Sequence, residues 1–135
     1  AVRRIAHFSY RIYGHEGYLE TTRRKDWRFV QIAVNTRFSR WFAEQIGEDA
    51  DISFASNDFA AVKQAVCEQI GIGILPDFAV FLADRLHPVS PNPDAPLPEF
   101  AAELFLVMHE DVRRSPSVRA VADYFAEALE HMSVR

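Results

Sequence analysis

The chain reads as an α/β protein, and two stretches carry that reading. From Ser53 to Phe78 the sequence S-F-A-S-N-D-F-A-A-V-K-Q-A-V-C-E-Q-I-G-I-G-I-L-P-D-F runs as strand, polar turn, helix, glycine turn and second strand without a break. Upstream, Trp27 to Ile46 repeats the first part of that order, an aromatic and β-branched strand followed by a polar pair and an amphipathic helix. Strands alternating with helices imply an α/β sandwich with a largely parallel sheet.

Taken in order, Ile5 to Tyr13 is suited to a strand, and Gly14 to Gly17 to a turn. Trp27 to Val34 is the second strand. Asn35 and Thr36 offer side-chain oxygens to cap a helix over Arg37 to Ile46, where Phe38, Trp41, Phe42 and Ile46 form one face and Gly47 ends the run. Asp51 to Ala55 is a short strand, and Ser56, Asn57 and Asp58 are again capping types. In the helix that follows, Val62, Ala65, Val66 and Ile70 make a single apolar stripe, with Gly71 placed where a left-handed helix end favours glycine. Ile72 to Leu75 is a short buried strand stopped by Pro76. A helical turn is expected over Phe78 to Asp84. Five of the seven prolines fall between Pro88 and Pro98, an extended connection. Glu103 to His109 is the last strand. A final helix from a Ser117 cap to about Met132 repeats Val118, Val121, Phe125, Ala128 and Met132, widened by Tyr124 and Leu129.

The 135 residues, 49% of them hydrophobic, suffice for one ordinary core. Net charge is −4, and the Arg pairs at 3–4, 23–24 and 113–114 are scattered among acids. Without a basic stripe to neutralise phosphates, this chain by itself is not expected to bind DNA well. The single cysteine, Cys67, forms no internal disulfide, which fits a reducing cytosol, and its place beside an apolar stripe reads as packing. Apolar runs fall far short of a membrane span, and no signal-peptide pattern opens the chain. A cytoplasmic protein is expected. Beginning at Ala1 and entering a strand at once, the chain is expected to be a fragment of something longer.

Candidate chemistry is sparse. The five histidines, His7, His15, His87, His109 and His131, lack the helical two-histidine spacing of a zinc site, so no metal or other cofactor is expected. Gly71 and Gly73 follow a helix and enter a strand, the reverse of a dinucleotide-binding turn. No serine sits in a nucleophile elbow. What remains is two polar helix starts, Asn35-Thr36 and Ser56-Asn57-Asp58, each directly after a strand. In parallel α/β sheets such starts share the carboxyl edge of the sheet, and their free N–H groups and positive dipole end suit a small anion. The same residues also serve as plain helix caps, and Asp58 counts against an anion beside it.

The blocks A-H-F-S-Y-R-I-Y-G-H-E-G-Y-L, R-F-V-Q-I-A-V-N-T-R-F-S-R-W-F, S-N-D-F-A-A-V-K-Q-A-V with G-I-G-I-L-P-D-F, and E-L-F-L-V-M-H-E-D-V-R-R-S-P-S-V-R-A-V-A-D-Y-F-A-E-A-L stand in the order and spacing of a known family. Together they cover essentially the whole chain, which resembles the effector-binding domain of LysR-type transcriptional regulators.

The resemblance implies a fold like that of type II periplasmic binding proteins, two α/β subdomains joined by two crossing strands. Residues 1–13 would hold the first crossing strand, 14–102 the second subdomain, and 103–135 the second crossing strand with a helix returning to the first subdomain. It further implies a regulator, not an enzyme, that binds a small anionic effector and forms homo-oligomers. DNA would be read by an N-terminal winged helix-turn-helix absent from this chain. Thr36 and Asn35 match the helix start that contacts the effector, Ser56 and Asn57 the polar turn lining the same cleft, and Gly73, Ile74, Leu75 and Pro76 the strand end that closes it. Tyr13 and His109, at the ends of the crossing strands, would form its hinge side. The alternative is a periplasmic-type solute-binding protein of a transporter; a small α/β enzyme would need a reactive pair, which the sequence does not offer.

Overall fold

The structure is a computed structural model that describes residues 2–107 and 116–133. The described residues form six strands, β1 (Val2–His15), β2 (Arg28–Ile32), β3 (Asp51–Ser56), β4 (Ile72–Pro76), β5 (Leu86–Pro88) and β6 (Glu99–Val107), and four helices, α1 (Glu16–Thr21), α2 (Arg37–Ile46), α3 (Phe59–Cys67) and α4 (Pro116–Ser133), strand and helix alternating from β1 to β4. The sheet order is β3-β2-β4-β1-β5, with β6 pairing β1 off this path. The chain divides into two compact units, one of residues Tyr10–Phe100 and one of Ala1–Ser9 with Ala101–Arg135.

In the Tyr10–Phe100 unit, β2 runs parallel to both β3 and β4, as β-α-β connections through α2 and α3 require. β1, however, is antiparallel to β4 and to β5. The sheet is therefore mixed, not largely parallel: helical crossovers are confined to β2, β3 and β4, and β1 enters from outside that run.

The two helices cover opposite faces. Phe29 and Val30 are consecutive in β2 and so point to opposite sides. Phe29 meets Phe42 of α2 edge to face at 6.5 Å, while on the Val30 side Val66 of α3 packs over Gly73. Every residue of β4 is buried, as its unbroken apolar run predicts. Ile12, Val30, Phe42, Val62, Val66, Ile72, Ile74 and Leu75 are all within 2% of full burial and form the centre of the core.

Several local expectations are corrected. The Gly14–Gly17 turn is instead the end of β1 followed by α1, whose Tyr18 is buried and whose hydroxyl accepts the Arg28 N–H at 2.9 Å. A six-residue helix opened by His15 and containing Gly17 is too short to show a periodic stripe. Helix α3 stops at Cys67, and the left-handed residue after it is Gln69 (φ 62°), not Gly71. Ile70 consequently leaves the stripe and is exposed. Gly71 serves close approach: a Cβ there would lie 2.6 Å from the Arg28 carbonyl oxygen. The register between β2 and β3 shifts at Phe29/Val30, a bulge at Ser53, whose hydroxyl donates to the Ile70 carbonyl at 2.9 Å. The helical turn over Phe78 to Asp84 is two 3-10 turns, Asp77–Ala79 and Leu82–Asp84, and Leu82 is fully exposed. Here Asp84 accepts the Phe81 N–H at 2.7 Å and pairs with Lys63 of α3 at 3.0 Å. Burial pushes its carboxyl up, but the Phe81 N–H and the Lys63 ammonium outweigh that, leaving its pKa below the ordinary value.

In the other unit, Arg3 pairs with Asp123, Arg4 with Glu103 at 3.3 Å, and His7 lies 3.5 Å from Glu103. Strand β6 starts at Glu99, four residues before expectation, and α4 starts at Pro116, so Ser117 lies inside it. Among the described residues of α4, Ala122 is buried, whereas Val121, Tyr124 and Phe125 of the expected stripe are exposed.

Two measurements test this packing. Gly71→Ala should destabilise by roughly 1–3 kcal/mol, since the added methyl meets backbone that has nowhere to move; an unchanged denaturation midpoint would refute the close approach. Because the Asp84 carboxyl ionises more readily in the folded chain, its pair with Lys63 stabilises above the unfolded carboxyl's pKa, about 3.9, and stops doing so as pH falls through the lower folded value. Parent and Asp84→Asn midpoints should therefore differ at neutral pH and converge in acid, and a gap that persists in acid would mean packing, not charge.

Candidate functional site

Strands β2, β3 and β4 end at Ile32, Ser56 and Pro76, and being parallel they end along the same edge of the sheet. Helices α2 and α3 begin there. β1 runs the other way, so its residue at this edge is Tyr10, paired with Pro76. The Tyr10 ring stacks on Phe38, in the first turn of α2, at 4.3 Å and on Phe59, the first residue of α3, at 5.8 Å. Phe100 lies 6.3 Å from Tyr10 and 5.7 Å from Trp41, with the Arg37 guanidinium 5.9 Å above its ring. One side of the α2 start is thus walled by aromatic rings.

The other side is open. Gln31, Ile32, Ala33, Val34, Asn35, Ser39, Arg40 and Ala43 line a groove of about 420 Å³ between the end of β2 and the first turns of α2. Arg40 Nη1 donates to Asn35 Oδ1 at 3.0 Å across its rim. Among the described residues Arg40 has no carboxylate partner, unlike Arg3, Arg4, Arg11, Arg23, Arg28 and Arg85.

Thr36 closes the helix by a capping box. Its Oγ1 accepts the Ser39 N–H at 3.4 Å, and the Ser39 hydroxyl oxygen accepts the Thr36 N–H at 2.9 Å. Both groups are thereby engaged within the cap, and Thr36 is not among the groove-lining residues. At the start of α3, Ser56 Oγ accepts the Asp58 N–H at 3.2 Å and Asp58 Oδ1 accepts the Ala60 N–H at 3.0 Å, so a carboxylate already fills that pole. Asn57 is exposed beside it.

The remaining expected residues spread along the strands. Pro76 lies at the carboxyl edge, but Gly73, Ile74 and Leu75 run back from it into the core, Ile74 and Leu75 with no exposed surface. Tyr13 pairs with Gly73, three register positions from the edge, and is 4% exposed. Burial first, then nearby Asp77, pushes its hydroxyl up to about 12, against the opposing pull of Arg11. His109 lies outside the described residues. The structure thus brings Asn35, Thr36, Ser56, Asn57 and Pro76 to one edge, and adds Tyr10, Gln31, Ser39 and Arg40.

A signal for Arg40 was present in the sequence. Helix α2 carries Arg37 and Arg40 at its start, no acid in its first turn and no base in its last, with Glu44 near its end and Glu48 and Asp49 just beyond. A helix stabilised for its own sake places these charges the other way round. Reversed, they add to the positive pole at the sheet edge.

The LysR substrate binding domain model matches residues 7–130. The chain belongs to that family. It is thereby related to the effector-sensing regulatory domains of LysR-type transcription regulators, and the transporter alternative is not favoured. Among solved structures, the CrgA regulatory domain, a LysR-type regulator from Neisseria meningitidis, is 16% identical over 96% of this chain and 68% of its own, with a TM-score of 0.67. The regulatory domain of a HypT mutant from Salmonella typhimurium is 15% identical over 93% of this chain and 67% of its own (TM-score 0.62). Full-length LysG from Corynebacterium glutamicum, solved with its effector arginine bound, is 9% identical over 96% of this chain and 46% of its own (TM-score 0.63). At these identities the likeness shows the shared type II periplasmic-binding-like fold. The chain spans about two thirds of the isolated regulatory domains and just under half of the full-length regulator. A search of curated protein sequences returns no match. Among the described residues there is no group of three candidate metal ligands and no helix long and apolar enough to cross a membrane.

Because the Thr36 and Ser39 side chains each bond the other's backbone, Thr36→Ala in this LysR-family domain should cost about 0.5–2 kcal/mol. Thr36→Ser should restore most of it; chemical denaturation that finds Thr36→Ala neutral would show the cap to be idle.

Proposed function

We propose that this chain senses a small anionic metabolite for a LysR-type transcriptional regulator, with the anion held on the Tyr10–Phe100 unit at the start of α2. One observation carries the proposal: a groove of about 420 Å³, half of its lining residues polar and half apolar, opens where β2 meets α2, and its one charged lining residue is the cation Arg40. That volume falls within the range of small-molecule sites. Two features favour α2 over α3. The α3 pole is filled by Asp58, and α2 carries its arginines at the end where they reinforce the dipole.

Membership of the LysR substrate binding domain family supports a domain that acts by binding and not by catalysis. Ligand binding favours one member of a pre-existing conformational equilibrium, by as much as its affinities for the two states differ. The regulator works in the cytoplasm as a homo-oligomer, and a winged helix-turn-helix elsewhere in it contacts DNA. The acidic balance of this chain, net −4, accords with a part that does not touch phosphates.

The test is a thermal-shift screen of the full-length regulator against small carboxylates, followed by operator-binding titrations with each hit. A ligand that raises the melting temperature should also change DNA affinity, and DNA should change ligand affinity by the same factor. Hits that leave DNA affinity untouched would sink the sensing role, and a screen with no hit would sink the site.

A further inference from the structure

We propose that Arg40 is the counter-ion for an effector that is a monocarboxylate with an apolar body, and that Asn35 is its placeholder in the unliganded domain. This rests on the effector-sensing reading and deepens it. The N–H groups of Thr36 and Ser39 are engaged by the capping box, so recognition falls to side chains and not to the helix end itself. Of the eight residues that line the groove, Arg40 alone is charged. A single guanidinium neutralises one carboxylate, and its planar fork presents paired donors to both carboxylate oxygens. A second carboxylate on the ligand would find no cation in the groove. A ligand ammonium would find no acid there either, only the amide and hydroxyl oxygens of Gln31, Asn35 and Ser39.

The rest of the lining, Ile32, Ala33, Val34 and Ala43, is apolar and suits a hydrocarbon chain. Asn35 completes the assignment. Its amide oxygen takes one Arg40 donor at 3.0 Å, which holds the guanidinium at the rim with a neutral acceptor. A carboxylate is the stronger acceptor and displaces it.

The experiment uses the full-length regulator, with butyrate as the probe, butyramide as its uncharged counterpart and succinate as the dianion. Butyrate should raise the melting temperature, butyramide should not, and succinate should bind more weakly than butyrate. Arg40→Ala should weaken butyrate by roughly tenfold or more, with Arg40→Lys intermediate. Asn35→Asp gives the sharper result. It places a permanent carboxylate on Arg40, so it should raise the melting temperature of the unliganded protein while abolishing the butyrate response. If Arg40→Ala and Asn35→Asp both fold and respond to butyrate as the parent does, the Arg40 assignment is overturned. The sensing role then stands or falls separately on whether any carboxylate hit alters operator affinity. Equal responses to butyrate and butyramide, or none to butyrate in the parent, overturn the assignment as well.

Discussion

The burial of β4 is the constraint on which the rest of the Tyr10–Phe100 unit depends. Five residues, Ile72 to Pro76, lie between a parallel neighbour, β2, and an antiparallel one, β1, with no face left to water. A strand in that position must be apolar throughout, must meet helices on both sides, and must admit its neighbours closely. Gly71 and Gly73 answer the last demand, one against the Arg28 carbonyl and the other beneath Val66. Once β4 is fixed, β2 and β3 end at a common edge, and α2 and α3 both begin there. The groove at the start of α2 is a consequence of that alignment.

Much of this was legible in the residues. Helix α2 falls on Arg37–Ile46 as its caps and stripe predict, because Thr36 is a strong local start signal, Gly47 a stop signal, and the phenylalanines keep helical spacing. The burial of β4 was equally plain from its composition. What was not legible was set by pairing over long distances. Nothing in Ile5 to Tyr13 states that β1 will run against β4, so the sheet was expected to be more parallel than it is. The Ser53 bulge and the left-handed Gln69 are likewise products of how β3 and β4 meet β2, and neither residue has a type that announces such a role.

The candidate site was legible only in its position on the fold. Capping residues are conspicuous because their types are restricted, so Asn35, Thr36, Ser56 and Asn57 mark the sheet edge in the sequence; the groove beside them, which only Asn35 of the four lines, has no such mark. Gln31, Ser39 and Arg40 are ordinary residues for a strand and a helix surface, and only the fold sets them around one opening. Tyr13 illustrates the converse: placed at a strand end by its sequence position, it is carried inside by two further paired residues, Gly14 and His15. The inverted charge order of α2 was the available clue, since it works against the helix that bears it.

One feature of the edge has a bearing on how the molecule behaves in company. β3 is the outermost strand beside β2, and it presents Ile52 and Phe54, both partly bare, along an unpaired margin. A straight apolar margin of that kind is a template for indiscriminate strand addition. The kink at Ser53 breaks the template between those two residues, so an incoming strand in register with Ile52 falls out of register at Phe54. The hydroxyl that ties the kink to the Ile70 and Phe29 carbonyls thereby blunts this edge as a template for strand addition.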